Sequence, residues 1–232
     1  MTDALPPRYR AMARLDPASP RLTPVERAHT ALQPGQIRLR VHTCGVCRTD
    51  LHLVDGELPG TVLPRVPGHE IVGTVVELGA GCRTFRLGER VGVPWLHGTC
   101  GHCGFCTHGR ENLCERAAFT GWTVDGGYAE YAVANEDFAF AIPPGYDDEQ
   151  AAPRLCAGLI GYRALRMLPE ARAVGLYGFG AAAHLIAQLA LAQGRRVFAF
   201  TRAGDEAAHA LARRRGVHWA GASEAAPPET MD

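Results

Sequence analysis

Cys100, Cys103, Cys106 and Cys114 stand in the spacing C-x2-C-x2-C-x7-C, and this run constrains the fold of the 232-residue chain more than any other feature. Gly101, Gly104 and Gly109 lie among them, so the loop can fold back until four thiolates meet at one tetrahedral ion. A site closed by four thiolates has no open position for a substrate, so its role is structural and its metal contributes to folding. Two disulfides are a poor alternative, because C-x-x-C neighbours pair badly with one another. The pattern points to zinc, although spacing alone leaves an iron–sulfur cluster open.

The remaining cysteines are Cys44, Cys47, Cys82 and Cys156. Two C-x-x-C groupings in one chain suggest metal chemistry in a reducing compartment, and hence a cytoplasmic protein. The start of the chain agrees: Met1 to Pro20 is broken by prolines and charges and has no apolar signal-peptide core. No stretch reaches the roughly 18 apolar residues of a membrane span. Lys plus Arg and Asp plus Glu both number 24, so no net field favours nucleic acid or an anionic membrane. A hydrophobic fraction of 47% is enough to bury a core.

Strand patterns dominate the first part. Gln36–His42 alternates apolar and polar residues; Glu70–Leu78 and Arg90–Trp95 are β-branched runs bounded by Gly and Pro. Tyr128–Ala134 and Phe138–Ile142 add two short strands, and the set suggests a compact, barrel-like β domain. From Asp147 an acidic start opens a helical stretch through Ala151, Leu155 and Leu159. After Pro169 the order is strand Ala173–Tyr177, helix Ala181–Gln193, strand Arg196–Thr201, helix Asp205–Arg215 and strand Val217–Ala220. Such alternation predicts a parallel sheet. The expected organisation is a β-rich domain over residues 1–157 and the opening of an α/β domain over 158–232.

A second ligand set is spread over three segments: Cys44-Gly-Val-Cys47-Arg-Thr-Asp-Leu-His52, Gly68-His69-Glu70-Ile-Val-Gly73 and Leu155-Cys156-Ala157-Gly158. One imidazole with two thiolates leaves a fourth tetrahedral position for water or a substrate. The order and spacing of these segments, with the four-cysteine loop between them, resemble the zinc-dependent alcohol dehydrogenases of the medium-chain dehydrogenase/reductase superfamily, nearest the yeast and bacterial type. The resemblance runs from about Gly35 to the chain end. It implies a GroES-like catalytic domain followed by an incomplete Rossmann domain, with two zinc ions per chain.

The same resemblance implies residue roles. Cys47, His69 and Cys156 are the catalytic zinc ligands, with Glu70 close behind the metal; Cys44 and Cys82 are packing residues. Asp50 orients the ligating imidazole. Thr49 begins a proton relay that ends at His52, an imidazole and so a residue type suited to proton transfer near neutral pH. Trp95 lines the substrate pocket, and Arg154 departs from an ordinarily apolar position. The implied reaction is hydride transfer between a small primary or secondary alcohol and a nicotinamide cofactor, in a homo-oligomer.

For the cofactor, Gly178-Phe-Gly180-Ala-Ala-Ala183 follows an apolar strand and opens a helix, as a dinucleotide fingerprint does. Gly178 permits the tight turn, Gly180 the approach of a pyrophosphate, and Ala183 close packing of helix on strand. Arg48 matches the family's pyrophosphate-contacting basic residue. Thr201 stands where an NAD-selective site has an acid, with Arg202 next to it, which favours NADP(H) over NAD(H). Against this, Asp205 or Glu206 could reach back to the ribose. The α/β pattern covers three strands where a full dinucleotide sheet has about six. The rival expectation is therefore a zinc-binding fragment without turnover.

Overall fold

The computed structural model describes residues 4–232, so the first three residues of the expected first domain lie outside the described residues. The chain divides into two compact units that meet in sequence at Cys156 and Ala157. The first contains β1 (Arg8–Ala13), β2 (Thr23–Ala28), β3 (Gln36–Cys44), α1 (Arg48–Asp55), β4 (Ile71–Leu78) and β5 (Arg90–Val93). It continues with β6 (Leu96–Gly98), β7 (Ala118–Phe119), β8 (Tyr131–Asn135), β9 (Phe140–Ala141) and α2 (Asp148–Ala151). The second unit runs α3 (Ala157–Leu165), β10 (Ala173–Tyr177), α4 (Ala181–Ala192), β11 (Arg196–Thr201), α5 (Glu206–Arg214) and β12 (Trp219–Ala222).

An antiparallel sheet in the order β8-β3-β4-β5-β9 forms the body of the first unit. Ile37, Leu39, Ile71, Val75, Val91 and Val93 face one core and are at most 1% exposed. Arg38 breaks the expected alternation because it too is buried. Its guanidinium donates to Glu77 Oε2 at 2.6 Å and to the Thr30 carbonyl at 2.5 Å, which offsets the cost of removing a charge from water.

Two local expectations are corrected. Strand β8 begins at Tyr131 instead of Tyr128, because the preceding backbone donors are used elsewhere: Gly127 N–H bonds the Gly68 carbonyl and Tyr128 N–H the Pro67 carbonyl. The helix expected from Asp147 through Leu159 is broken into α2, a 3-10 turn over Ala152–Leu155, and α3. Pro153 lacks the N–H that a continuous helix needs, and Cys156 sits at the break with φ −125° and ψ −75°. The β1–β2 hairpin and α1 go beyond the sequence expectation. The hairpin's strands mix polar residues with small apolar ones, and only Ala11 and Ala13 are buried, so their apolar pattern is faint.

In the second unit β10, β11 and β12 are parallel neighbours in that order. Val197 and Ala199 of β11 pack with Leu165, Ile186, Ala187 and Ala212 of the helices, while Phe198 and Phe200 face Ala173, Trp219 and Met231. Both faces of β11 are thus covered, as in Rossmann-type parallel sheets. Among the described residues no helix is long and apolar enough to cross a membrane.

The packing of β3 on β4 is tight enough to test. A Cβ added at Gly73 would lie 2.4 Å from the Arg40 carbonyl oxygen in the neighbouring strand. Gly73→Ala is expected to cost about 1–3 kcal/mol of stability, seen as a lower urea midpoint. An unchanged midpoint would mean that the two strands can separate freely there.

Candidate metal centres and dinucleotide turn

Cys47 stands in extended conformation (φ −111°, ψ 161°) as the N-cap of α1, after the turn that leaves β3. Asp50, in the first turn of the helix, reaches back so that its Oδ2 accepts the Cys47 N–H at 2.8 Å. Its other oxygen accepts the Gly68 N–H at 3.1 Å and lies 3.2 Å from His69 Nδ1. One buried carboxylate, 4% exposed, therefore ties the start of α1 to the loop before β4. Because Nδ1 of His69 faces Asp50, Nε2 is the nitrogen left for another partner.

Cys156 comes to the same place along a different path. Asp147 caps α2 by accepting the Gln150 N–H at 2.6 Å. Asp148 pairs with Arg90 Nε at 2.6 Å and His42 Nδ1 at 2.9 Å, which fastens this segment to β5 and β3. Leu155, Ala151 and Ala152 pack on Val72. The outcome is a cluster in which one ligand atom each of Cys47, His69, Glu70 and Cys156 lies within 4.8 Å of the others. Cys47 Sγ and Cys156 Sγ are 3.7 Å apart. Gly45 makes room for Glu70, whose Oε2 would be 1.9 Å from a Cβ there.

The electrostatics suit a cation. Burial alone would raise the Asp50 carboxyl, but the His69 ring and the Cys47 N–H outweigh it and hold the group below the ordinary carboxylate range. Burial likewise opposes a proton on His69, yet hydrogen bonds to Asp50 and Cys156 push the ring up to about 10. Cys47 is lowered, because hydrogen bonds from the Thr49 backbone and hydroxyl overcome its burial. Burial raises Cys156 and Glu70. Two thiols, an imidazole and a carboxylate converge here, and a metal cation takes such donors in their deprotonated forms. The donor set therefore fits zinc. Cys44 lies outside this cluster, its thiol pushed up to about 12 by burial.

The four-cysteine loop forms a second cluster, also with ligand atoms within 4.8 Å of one another. Cys103 Sγ is 3.5 Å from Cys106 Sγ, and Cys100 Sγ is 3.9 Å from it. Gly101 (φ 73°) and Gly109 (φ 66°) take the left-handed turns that close the loop. Backbone donors point inward: Cys103 N–H to Cys100 Sγ, and Cys100 and Arg116 N–H to Cys114 Sγ, all at 3.4 Å. N–H groups of His102 and Cys103 pull the Cys100 thiol down to about 5. Burial and the adjacent Cys103 push Cys106 up to about 11.

The remaining expected residues are placed as follows. The Thr49 hydroxyl is 3.8 Å from Cys47 Sγ, and Arg48 is exposed on the first turn of α1. His52, in the last turn, is paired through Nδ1 with Glu57. Trp95 meets the His69 ring edge to face, with centroids 4.9 Å apart. Arg154 leans outward over the Tyr146 ring, its guanidinium 4.1 Å from the centroid. Glu57 was not anticipated, nor was the stack of Phe119 and Trp122 on Trp95, at 5.1 and 5.8 Å. Only the folded turn connects Glu57 to His52, and no motif links the three rings.

In the second unit Gly178 has φ 84° and Gly180 is the N-cap of α4. A Cβ at either glycine would meet nothing within 4 Å, so the helix N-terminus opens onto free space, as a pyrophosphate requires. Ala183 packs against the unit's core. Asp205 is the N-cap of α5, accepting the Ala208 N–H at 3.0 Å, and Glu206 lies 3.7 Å from His209. Thr201 is buried, whereas the exposed Arg202 guanidinium has no polar partner among the described residues.

Residues 33–144 match the family model described as the alcohol dehydrogenase GroES-like domain. The chain is 46% identical over 221 residues to a probable alcohol dehydrogenase, AdhA, of Mycobacterium tuberculosis (strain CDC 1551 / Oshkosh), covering 90% of this chain and 63% of that protein. Among solved structures, it resembles a cobalt- and zinc-bound thermostable alcohol dehydrogenase from Pyrobaculum aerophilum (TM-score 0.83, 28% identity, 93% of this chain and 66% of that one). It also resembles the Helicobacter pylori CAD complexed with NADP(H) (TM-score 0.82, 26% identity, 92% and 64%). The chain thus spans slightly under two thirds of the length of each of these relatives.

Two independent ligand clusters predict two zinc ions per folded chain by elemental analysis. Cys47→Ser is expected to lose one ion and keep the fold, and Cys103→Ser to lose the other and destabilise it. A wild-type content near one would remove the two-site reading. Asp50→Asn should weaken zinc at the first cluster by about 10- to 100-fold, measured by competition with a chelator. Unaltered affinity would show that the carboxylate does not support the ligands.

Proposed function

We propose that this chain, which belongs to the zinc-dependent alcohol dehydrogenases of the medium-chain dehydrogenase/reductase superfamily, moves a hydride between a small primary or secondary alcohol and a nicotinamide cofactor. The observation that carries this reading is the convergence of Cys47, His69 and Cys156 on one point, with Glu70 beside them. Those residues would hold the catalytic ion, and the four-cysteine loop a structural one. When bound, zinc polarises a substrate oxygen and lowers the pKa of a hydroxyl, and the nicotinamide serves as hydride carrier.

The chain's own residues do the rest. Asp50 holds the His69 ring in one orientation. Thr49 is at hand for a substrate hydroxyl proton, and His52, one helical turn further along, passes it toward solvent. The Trp95 indole, against His69, excludes water and favours small alcohols. Arg48 and the Gly178–Gly180–Ala183 turn serve the pyrophosphate. A zinc-binding fragment without turnover is the less favoured reading, since all seven cysteine and histidine ligands are present. Eight free thiols suit a reducing compartment such as the cytoplasm. The family resemblance further implies a homo-oligomer, which we propose for the complete protein.

NADP(H) is the preferred cofactor in this reading. The two acids that could select NAD by bonding the ribose are Asp205, committed to capping α5, and Glu206, beside His209. Arg202 is left to face a 2′-phosphate.

Zinc-loaded chain, given a series of primary and secondary alcohols, should reduce cofactor, and Cys47→Ser should not. No turnover in the presence of both metal and bound cofactor would end the oxidoreductase reading. In fluorescence titrations NADPH should bind about tenfold more tightly than NADH, an advantage lost in Arg202→Ala, as expected for a charge-assisted hydrogen bond. Equal binding of the two cofactors would make Arg202 an ordinary surface residue.

A further inference from the structure

Helix α1 ends in a particular way. Gly56 takes the left-handed conformation (φ 82°), and its N–H bonds the Leu53 carbonyl at 3.2 Å. The next N–H, that of Glu57, reaches back to the His52 carbonyl at 2.9 Å. These are the two bonds of a Schellman cap, a motif that lays the second residue past the helix end over the residue five positions earlier. An apolar contact usually joins those two side chains. Here the pair is His52 and Glu57, and the carboxylate Oε2 meets imidazole Nδ1.

The pairing has little to do with stability. The side chains are 37% and 59% exposed, and a surface pairing of that kind is weak. Its effect on the ring is more specific. A neutral imidazole carries its proton on one nitrogen, and the hydrogen bond made by that nitrogen decides which one it is. The other carboxylate of the helix's functional face, Asp50, is already engaged by Cys47, Gly68 and His69.

We propose that Glu57 is the positioning residue for His52: its carboxylate accepts the Nδ1–H, so that Nε2 is the ring nitrogen open to receive a proton. The inference rests on the relay role of His52 proposed above. It adds to that role a fixed tautomer and a fixed ring orientation, both supplied by a helix cap.

The test uses the zinc-loaded full chain and a readout independent of turnover. Two-bond 1H–15N correlation spectra of the neutral histidines should show His52 protonated at Nδ1 in the wild type. In Glu57→Ala the proton should move to Nε2, the form a free imidazole prefers. Glu57→Gln retains an acceptor oxygen and should restore the Nδ1–H form. With an alcohol and cofactor, Glu57→Ala should lower kcat about tenfold at constant KM. A wild-type ring protonated at Nε2, an unchanged tautomer in Glu57→Ala, or full turnover in that variant would each overturn the proposal. A wild type with no turnover, by contrast, removes the oxidoreductase reading and leaves the spectra to decide what Glu57 does to the ring.

Discussion

The carboxylate of Asp50 is the constraint around which the first unit's chemistry is arranged. A charge only 4% exposed must have its lone pairs satisfied, and three groups do so: the Cys47 N–H, the Gly68 N–H and the His69 ring. Each belongs to a segment that carries or adjoins a candidate metal ligand. Meeting the needs of one buried anion therefore places a thiol and an imidazole at the same time. The Tyr128 ring closes over Gly68, where a Cβ would lie 2.6 Å from Cδ1, so the loop has little freedom to retreat. The third ligand depends on a comparable arrangement, since Asp148 anchors the segment before Cys156 to Arg90 and His42.

Much of this was legible in the sequence, but unevenly. The four-cysteine loop was legible because its geometry is local: closely spaced thiols and left-handed glycines need no tertiary knowledge. The parallel strands β10 and β11 were legible because an apolar run followed by Gly178 and an Ala-rich helix has few alternatives. The scattered cluster was legible only through resemblance, since nothing in the spacing of Cys47, His69 and Cys156 makes them neighbours. What escaped depends on long-range or turn geometry. The exposed β1–β2 hairpin has no strong apolar pattern, Pro153 breaks a stretch that otherwise reads as one helix, and Glu57 approaches His52 only because Gly56 turns the chain.

The two clusters solve the problem of gathering thiols differently. In the loop, three backbone N–H groups point at sulfur and pull negative charge into place with no carboxylate among the ligands. In the scattered cluster side chains join the backbone donors, with Asp50 behind the imidazole and Glu70 beside it. Hydrogen-bonded thiolates suit an ion that only holds a fold together. An imidazole oriented by a carboxylate suits one whose environment has to respond to a changing partner.

That contrast has a consequence for how the protein is made. Cys100 and Cys114 are 14 residues apart, whereas Cys47 and Cys156 are separated by 109. Closing the longer span costs about 2 kcal/mol more in chain entropy and has to wait for β3, β4 and the α2 segment to assemble. The short loop needs no such preparation and can capture its metal while the rest is still unfolded. On this ground an ion held by Cys100, Cys103, Cys106 and Cys114 would be able to enter a nascent chain, and one held by Cys47, His69 and Cys156 only a nearly finished one.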